Sequence, residues 1–319
     1  LSPTGEAEAR HRERRGLAED RRLSCQATLC GDIAIDVPES SQVHRQVVRK
    51  PYEAHDIEIN PVTRAFFVEV DKPDMHDPSG DLERLQKAIA RDWQIDGLTI
   101  AQPALHQLQA VLRKDDWKVT VAIREESEII AIWPGFVDRL YGVAIDVGST
   151  TIAAHLCDLA SGDVIGSAGS MNPQIRFGED LMSRVSYIMM NPGGETELIR
   201  TVRLAINELL ADVVDEANLD INEIVELTIA GNPIMLHLVL GLNPVELGTA
   251  PFALTTDAAM NMPAREIGLE INSGGYAYSL PCIAGHVGAD TAGVLLAEAP
   301  FDRDEISLIV DVGTNAEML

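Results

Sequence analysis

The chain has 319 residues, 46% hydrophobic and 24% charged, and its 50 Asp and Glu against 25 Lys and Arg give a formal net charge of −25. That excess opposes binding to nucleic acid or to an anionic membrane surface, and no run of about 18 apolar residues offers a membrane-spanning helix. Four scattered cysteines without a signal peptide make no disulfide framework, so a reducing, cytoplasmic location is expected.

Taken in order, residues 1–43 open with an Arg/Glu-rich helical stretch. Six arginines lie between Arg10 and Arg22, interleaved with Glu13, Glu19 and Asp20 and preceded by Glu8, which reads as a solvated helix face rather than a polyanion site. Residues 33–37 then alternate as a short strand ended by Pro38. Residues 44–60 have little periodicity and read as a linker. Residues 61–139 carry a strand at 65–70, helices at 81–90 and 104–112, and strands at 118–123 and 128–133, a small α/β module. From residue 140 the chain alternates strand with helix. Strands are expected at 141–147, 151–158 and 164–171, with Ser161 and Gly162 turning the second into the third. Helices follow at 180–190 and 195–218, then a strand at 226–230, a short apolar helix after Asn232, a strand at 276–283, a helix at 289–299 and a strand at 306–312. The class is α/β. The first residue is Leu rather than Met, and the last residues follow directly on a motif, so the chain is expected to be a fragment.

That motif is one copy of a repeat. Ala144-Ile145-Asp146-Val147-Gly148-Ser149-Thr150 is echoed by Ile309-Val310-Asp311-Val312-Gly313-Thr314-Asn315, the two aspartates lying 165 positions apart. In each copy a hydrophobic strand breaks into a Gly-containing turn. Glycine allows close approach of an anion, successive N–H groups and hydroxyls donate to it, and a strand-end Asp suits Mg²⁺ held through water. A lone Asp-x-Gly-Thr turn is weak evidence, since such turns also simply end strands.

Two copies at domain-sized separation resemble the acetate-and-sugar-kinase, heat-shock-70 and actin (ASKHA) superfamily, in which paired subdomains each contribute a phosphate loop. The resemblance implies that Asp146 and Asp311 orient Mg²⁺ and the attacking water, and that Gly148, Ser149, Thr150 and Thr151 with Gly313, Thr314 and Asn315 bind the phosphates of ATP. Further stretches resemble the reductive activators of corrinoid proteins: Asn172-Pro-Gln-Ile-Arg-Phe-Gly-Glu-Asp180 with Ser183-Arg184, Ala230-Gly-Asn-Pro-Ile-Met235 with His237-Leu238, and Gly288-Ala-Asp290. This second resemblance implies ATP-linked reduction of a corrinoid methyltransferase protein from Co(II) to Co(I), with a homodimer and the identity of the electron donor left open. It also implies a division into 1–43, the end of a β-grasp ferredoxin-type domain; 44–60, a linker; 61–139, a middle α/β domain; and 140–319, the first part of an actin-like ATPase domain.

Near the N-terminus, Arg22-Leu23-Ser24-Cys25-Gln26 followed by Gly31-Asp32 resembles the segment around the fourth cysteine of two-iron ferredoxins, which makes Cys25 a candidate ligand of a 2Fe-2S cluster. Such a cluster needs three more thiolates in a tight run. None occurs here, so this chain is not expected to assemble it. Cys30, Cys157 and Cys282 are expected to be small core residues, His237 and His286 structural, and Asp180 a helix-start carboxylate. Two other readings of the paired loops stay open: a small-molecule kinase of the same superfamily, and a non-catalytic actin-like binding protein.

Overall fold

A computed structural model describes residues 1–15, 21–23, 27–31, 58–312 and 316–318. The chain divides into two compact units, Leu1–His44 and Arg45–Leu319.

In the first unit, helix α1 (Glu6–Arg15) starts with two acidic residues, Glu6 and Glu8, which suits the positive end of the helix dipole. Glu8 is not on a solvated face. It is buried, accepting from Arg22 Nε at 2.7 Å, Arg22 Nη2 at 2.9 Å and the Leu23 N–H at 2.9 Å, and the Arg22 fork holds its carboxyl down at about 2. The strand expected at 33–37 lies outside the described residues, as does Cys25.

The second unit contains two sheets. The first has strand order β1-β3-β4-β2, built from β1 (Thr63–Glu69), β2 (Thr99–Ile100), β3 (Lys118–Arg124) and β4 (Glu128–Pro134). Helices α2 (Asp81–Trp93) and α3 (Gln102–Lys114) cover one face. Val119, Val121 and Ile123 of β3 pack with Leu85, Ile89 and Leu112 of these helices. Six of the seven residues of β3 are buried, because its other face is covered too, and a strand covered on both faces loses the polar half of its alternation.

The second sheet has order β7-β6-β5-β8-β10-β9. An antiparallel meander of β5 (Tyr141–Val147), β6 (Thr151–Asp158) and β7 (Val164–Met171) is followed by α4 (Leu181–Met190) and α5 (Gly194–Ala217). These helices return the chain to β8 (Ile224–Gly231), which runs parallel to β5. After α6 (Pro233–Leu240) come β9 (Met260–Pro263), β10 (Tyr276–Ser279) and α7 (Ala289–Glu298); β10 is parallel to β8 and antiparallel to β9. Leu198, Val202, Ile206, Leu210 and Val213 of α5 recur every three or four residues and close the core over Ile152, Leu156 and Ile145.

Two expectations change. The strand expected at 276–283 stops at Ser279, just before Pro281, which has no N–H for a ladder. The strand expected at 306–312 is only β11 (Val310–Val312), paired with β12 (Ala316–Met318) in a separate ladder. β9 and β2 carry no readable signal, being too short to show a period.

The two sheets meet along a seam. Ala122, Ile130, Ala131, Leu140 and Val225 form a shared cluster with Tyr276 and Trp133 against it. At Gly274 any side chain would run into the Ile130 carbonyl oxygen, so the backbones touch there. Polar contacts tie the rim: Thr63 Oγ1 donates to Glu226 Oε1 at 2.5 Å, Tyr276 OH donates to Glu128 Oε2 at 2.8 Å, and the Arg124 guanidinium lies 4.5 Å from the Tyr276 ring centroid. Burial raises the Glu226 carboxyl above its usual range, against the pull of Thr63 and Arg124.

Candidate functional site

The parallel strands β5, β8 and β10 end on one edge of the second sheet, the edge where α/β sheets bind ligands. Asp146 pairs with Ala230, and Val147 with Gly231, at the last rungs of β5 and β8. Beyond them the chain turns tightly: the Gly148 N–H donates to the Thr151 carbonyl at 3.0 Å, and a Cβ on Gly148 would lie 2.6 Å from that oxygen. This is the glycine that the sequence repeat contains.

Each carbonyl of the turn is bound from the protein side. Asn172, fully buried, donates from Nδ2 to Gly148 O at 2.9 Å and from its backbone N–H to Thr150 O at 2.8 Å. Ser149 O accepts from Arg184 Nη2. In a trans peptide the N–H of the next residue points opposite to the carbonyl. The Ser149 and Thr150 N–H groups therefore point away from Asn172 and Arg184, and with the Ser149, Thr150 and Thr151 hydroxyls close by they can cradle an anion.

Arg184 comes from α4, whose start is fixed by Asp180 accepting from the Ser183 N–H at 2.8 Å. Its guanidinium is fully buried and also donates to Gly178 O at 3.2 Å, Gln174 Oε1 at 3.2 Å and Met235 Sδ at 3.1 Å. Burial lowers its pKa to about 10.

The second wall is the end of β8. A Cβ on Gly231 would lie 2.7 Å from the Val147 carbonyl oxygen, so no other residue permits this approach of the strand ends. Asn232 caps α6, its Oδ1 accepting from the Met235 N–H at 3.0 Å. Gly288 packs on this loop, since a Cβ there would lie 2.7 Å from both Asn232 Cα and Gly231 O. That contact brings the start of α7 to the site. Asp290 Oδ1 accepts from the Thr291 N–H at 2.8 Å, and its carboxyl is raised by burial first and then by the charges of Asp146 and Asp311. Asp290 thus lies within electrostatic reach of both Asp146 and Asp311, although among the described residues no three acidic, His or Cys side chains stand close enough to hold a metal ion directly. Asp290 is the member that motif reading left without a role; its only signal was its place in the stretch Gly288-Ala-Asp290.

Asp311 lies on β11 opposite Glu317. Gly313, Thr314 and Asn315 lie outside the described residues. The two copies of the repeat differ in packing. Tyr141, Val143 and Ile145 are 8%, 2% and 3% exposed, whereas Ile306, Leu308 and Val310 at the matching positions are 104%, 72% and 49% exposed.

The remaining candidates separate. Cys30 is exposed rather than in a core, its Sγ 3.6 Å from Thr28 O. Cys157 and Cys282 are half-buried, and burial raises both thiols, Cys282 to about 11 with help from Asp290. His237 is structural: it is buried with Nδ1 2.7 Å from Pro233 O, while Nε2 accepts from the Thr255 N–H at 3.0 Å. His286 packs against Phe252 with the rings tilted at 59° and their centroids 4.1 Å apart.

Residues 141–300 match the RACo middle region, and residues 52–139 match the RACo linker region. The chain belongs to the RACo family. Among RACo relatives it is 35% identical over 179 residues to the corrinoid activation enzyme RamQ of Eubacterium limosum, covering 56% of this chain and 30% of RamQ. It is 26% identical over 189 residues to a Co(II) methylated amine-specific corrinoid protein reductase of Methanosarcina barkeri, covering 56% of this chain and 34% of the reductase. A solved structure of a reductive activator for corrinoid, iron-sulfur protein superposes with a TM-score of 0.73 at 31% identity, covering 88% of this chain and 47% of that one. The chain thus spans less than half the length of these RACo relatives. Its fold is the α/β, actin-like architecture that the repeat implied. Among the described residues no helix is long and apolar enough to cross a membrane.

Proposed function

We propose that this chain supplies the linker and the first nucleotide-binding half of an ATP-dependent reductive activator, which returns a corrinoid methyltransferase protein from Co(II) to Co(I). The observation that carries the reading is the turn at Gly148, Ser149 and Thr150, its carbonyls bound from within, next to Asp146, Asp290 and Asp311 in a chain of the RACo family. On this reading residues 1–43 end a ferredoxin-type domain, 61–139 form the middle module, and 140–319 begin the ATPase.

The donor set fits magnesium and a polyphosphate together. Outward amides and hydroxyls attract phosphate oxygens, and three carboxylates repel them. A bound Mg²⁺ would supply the charge that lets both coexist. Asp146 and Asp311 would hold the hydrated ion and orient the attacking water, Gly148 to Thr151 would grip the phosphates, and Gly313, Thr314 and Asn315 would do the same from the second loop. Catalysis by such a site rests on positioning and electrostatic stabilisation.

The described cysteines do not fit a 2Fe-2S cluster. Cys30 stands alone on the surface, and Cys157 and Cys282 hold their protons more tightly than a free thiol, opposite to what thiolate ligation requires. Cys25 keeps the role of a candidate ligand on the resemblance alone.

The test is reduction of a Co(II) corrinoid protein by the full-length protein, followed by the visible spectrum, with and without Mg-ATP. Nucleotide-dependent appearance of Co(I), lost in Asp146→Asn, is the expected result. Steady ATP consumption stimulated by a small metabolite, with no Co(I) formed, would instead identify a kinase.

A further inference from the structure

Among the described residues the other buried arginines are paired. Arg84, 4% exposed, has Asp77 at 3.0 Å, and Arg124, 9% exposed, has Glu125 at 2.8 Å. Arg184 is the exception. It is wholly buried, its acceptors are two backbone carbonyls, an amide oxygen and a thioether, and among the described residues no carboxylate lies within 4.0 Å of it. Among the described residues Asp180 acts on it from a distance. Taking a guanidinium out of water without a counter-ion is costly, and bracing the turn does not by itself call for that charge.

We propose that Arg184 is a positioning residue that fixes positive charge directly behind the phosphate turn, so that the bound polyphosphate is its counter-ion. The proposal rests on the reading of residues 148–151 as a phosphate site. The guanidinium binds Ser149 O, and the Thr150 N–H on the far side of that peptide faces the ligand, so the charge acts through a single peptide unit. Burial leaves Arg184 a cation at neutral pH, and a charge in the interior is screened by salt far less than one on the surface. The planar fork explains why Arg stands here: it reaches four acceptors on three segments, the turn, the 174–178 stretch and α6.

A brace and a counter-charge make different predictions. In the full-length protein, Arg184→Lys and Arg184→Gln both lose the fork, but only the second loses the charge. Equilibrium affinities for AMP, Mg-ADP and Mg-ATP, measured by calorimetry at low and high salt, separate the roles. The expected result is a loss in Arg184→Gln that grows along the series and reaches roughly 30-fold for Mg-ATP, while Arg184→Lys stays within a few-fold of the parent. Equal losses in both variants, or a loss of the same size for all three nucleotides, would leave only a brace and overturn the proposal. If Arg184→Gln does not fold, the parent protein decides: its preference for Mg-ATP over AMP must persist at 0.5 M salt, and its collapse there would count against a buried charge. A parent protein that binds none of the three would instead sink the phosphate-site reading itself.

Discussion

Replacing Asn172 by Ala tests the architecture of the turn without touching a group that meets the ligand. Asn172 is fully buried, and its side chain makes three hydrogen bonds: Nδ2 donates to Gly148 O at 2.9 Å and to Met235 Sδ at 3.8 Å, and Oδ1 accepts from the Gln174 N–H at 3.0 Å. Leaving the Gly148 carbonyl buried and unpartnered costs about 1–3 kcal/mol. Losing the cap on the Gln174 N–H adds about 0.5–2 kcal/mol, so the turn should open more easily by about 1.5–5 kcal/mol. At a factor of ten per 1.4 kcal/mol, amide exchange in the turn should quicken roughly 10- to 4,000-fold. The assay has to be local. Trp93, Trp117 and Trp133 all lie in the four-stranded sheet and its helices, so tryptophan fluorescence reports the wrong part of the molecule. Hydrogen–deuterium exchange by mass spectrometry on peptides spanning residues 146–158 reads the turn itself. Exchange within threefold of the parent in those peptides would refute the claim that Asn172 holds the turn.

Three further outcomes are expected. Asp290→Asn keeps the acceptor for the Thr291 N–H and removes a charge that burial, Asp146 and Asp311 all disfavour. A raised folded-state pKa means stability present at low pH and lost as pH rises through it, so without nucleotide the thermal midpoint of the variant should gain on the parent between about pH 4 and pH 8; a constant difference by calorimetry would contradict the shared environment. Glu226→Gln at the seam carries the same sign, because burial raises Glu226 despite Thr63 and Arg124, and urea unfolding at about pH 5 and pH 8 should show the variant gaining at the higher value. In the folded protein, iodoacetamide at about pH 8 should modify Cys30 well before Cys157 or Cys282, which burial holds protonated; peptide mapping that finds Cys282 labelled as fast would refute it.

The meander β5, β6, β7 was legible because each strand alternates and a Ser-Gly turn separates the second from the third, with Gly162 at φ 77°. Gly148 was legible because the turn itself demands glycine, and a backbone demand is written locally. What holds the turn was not. Asn172 is 24 residues from Gly148, and Arg184 is 35 residues from Ser149. Arg184 lies in a helix pattern where a cation normally marks the solvent face. Nor could local pattern give the approach of Asp290 to Asp146, which depends on Gly288 seating against the end of β8. Glu8 misled for the same reason: its partner Arg22 lies beyond the end of its own helix.

The contact between Gly274 and Ile130 has a consequence for how such proteins can be recombined. Two modules joined only by a tether can be exchanged between relatives like parts on a string. Here the backbones of two sheets interlock at a point where one side must have no side chain, and Glu226 reaches Thr63 across the same seam. A chimera that takes residues 52–139 from one relative and 141–300 from another therefore inherits half a lock from each parent. The working crossover carries both faces of the seam together.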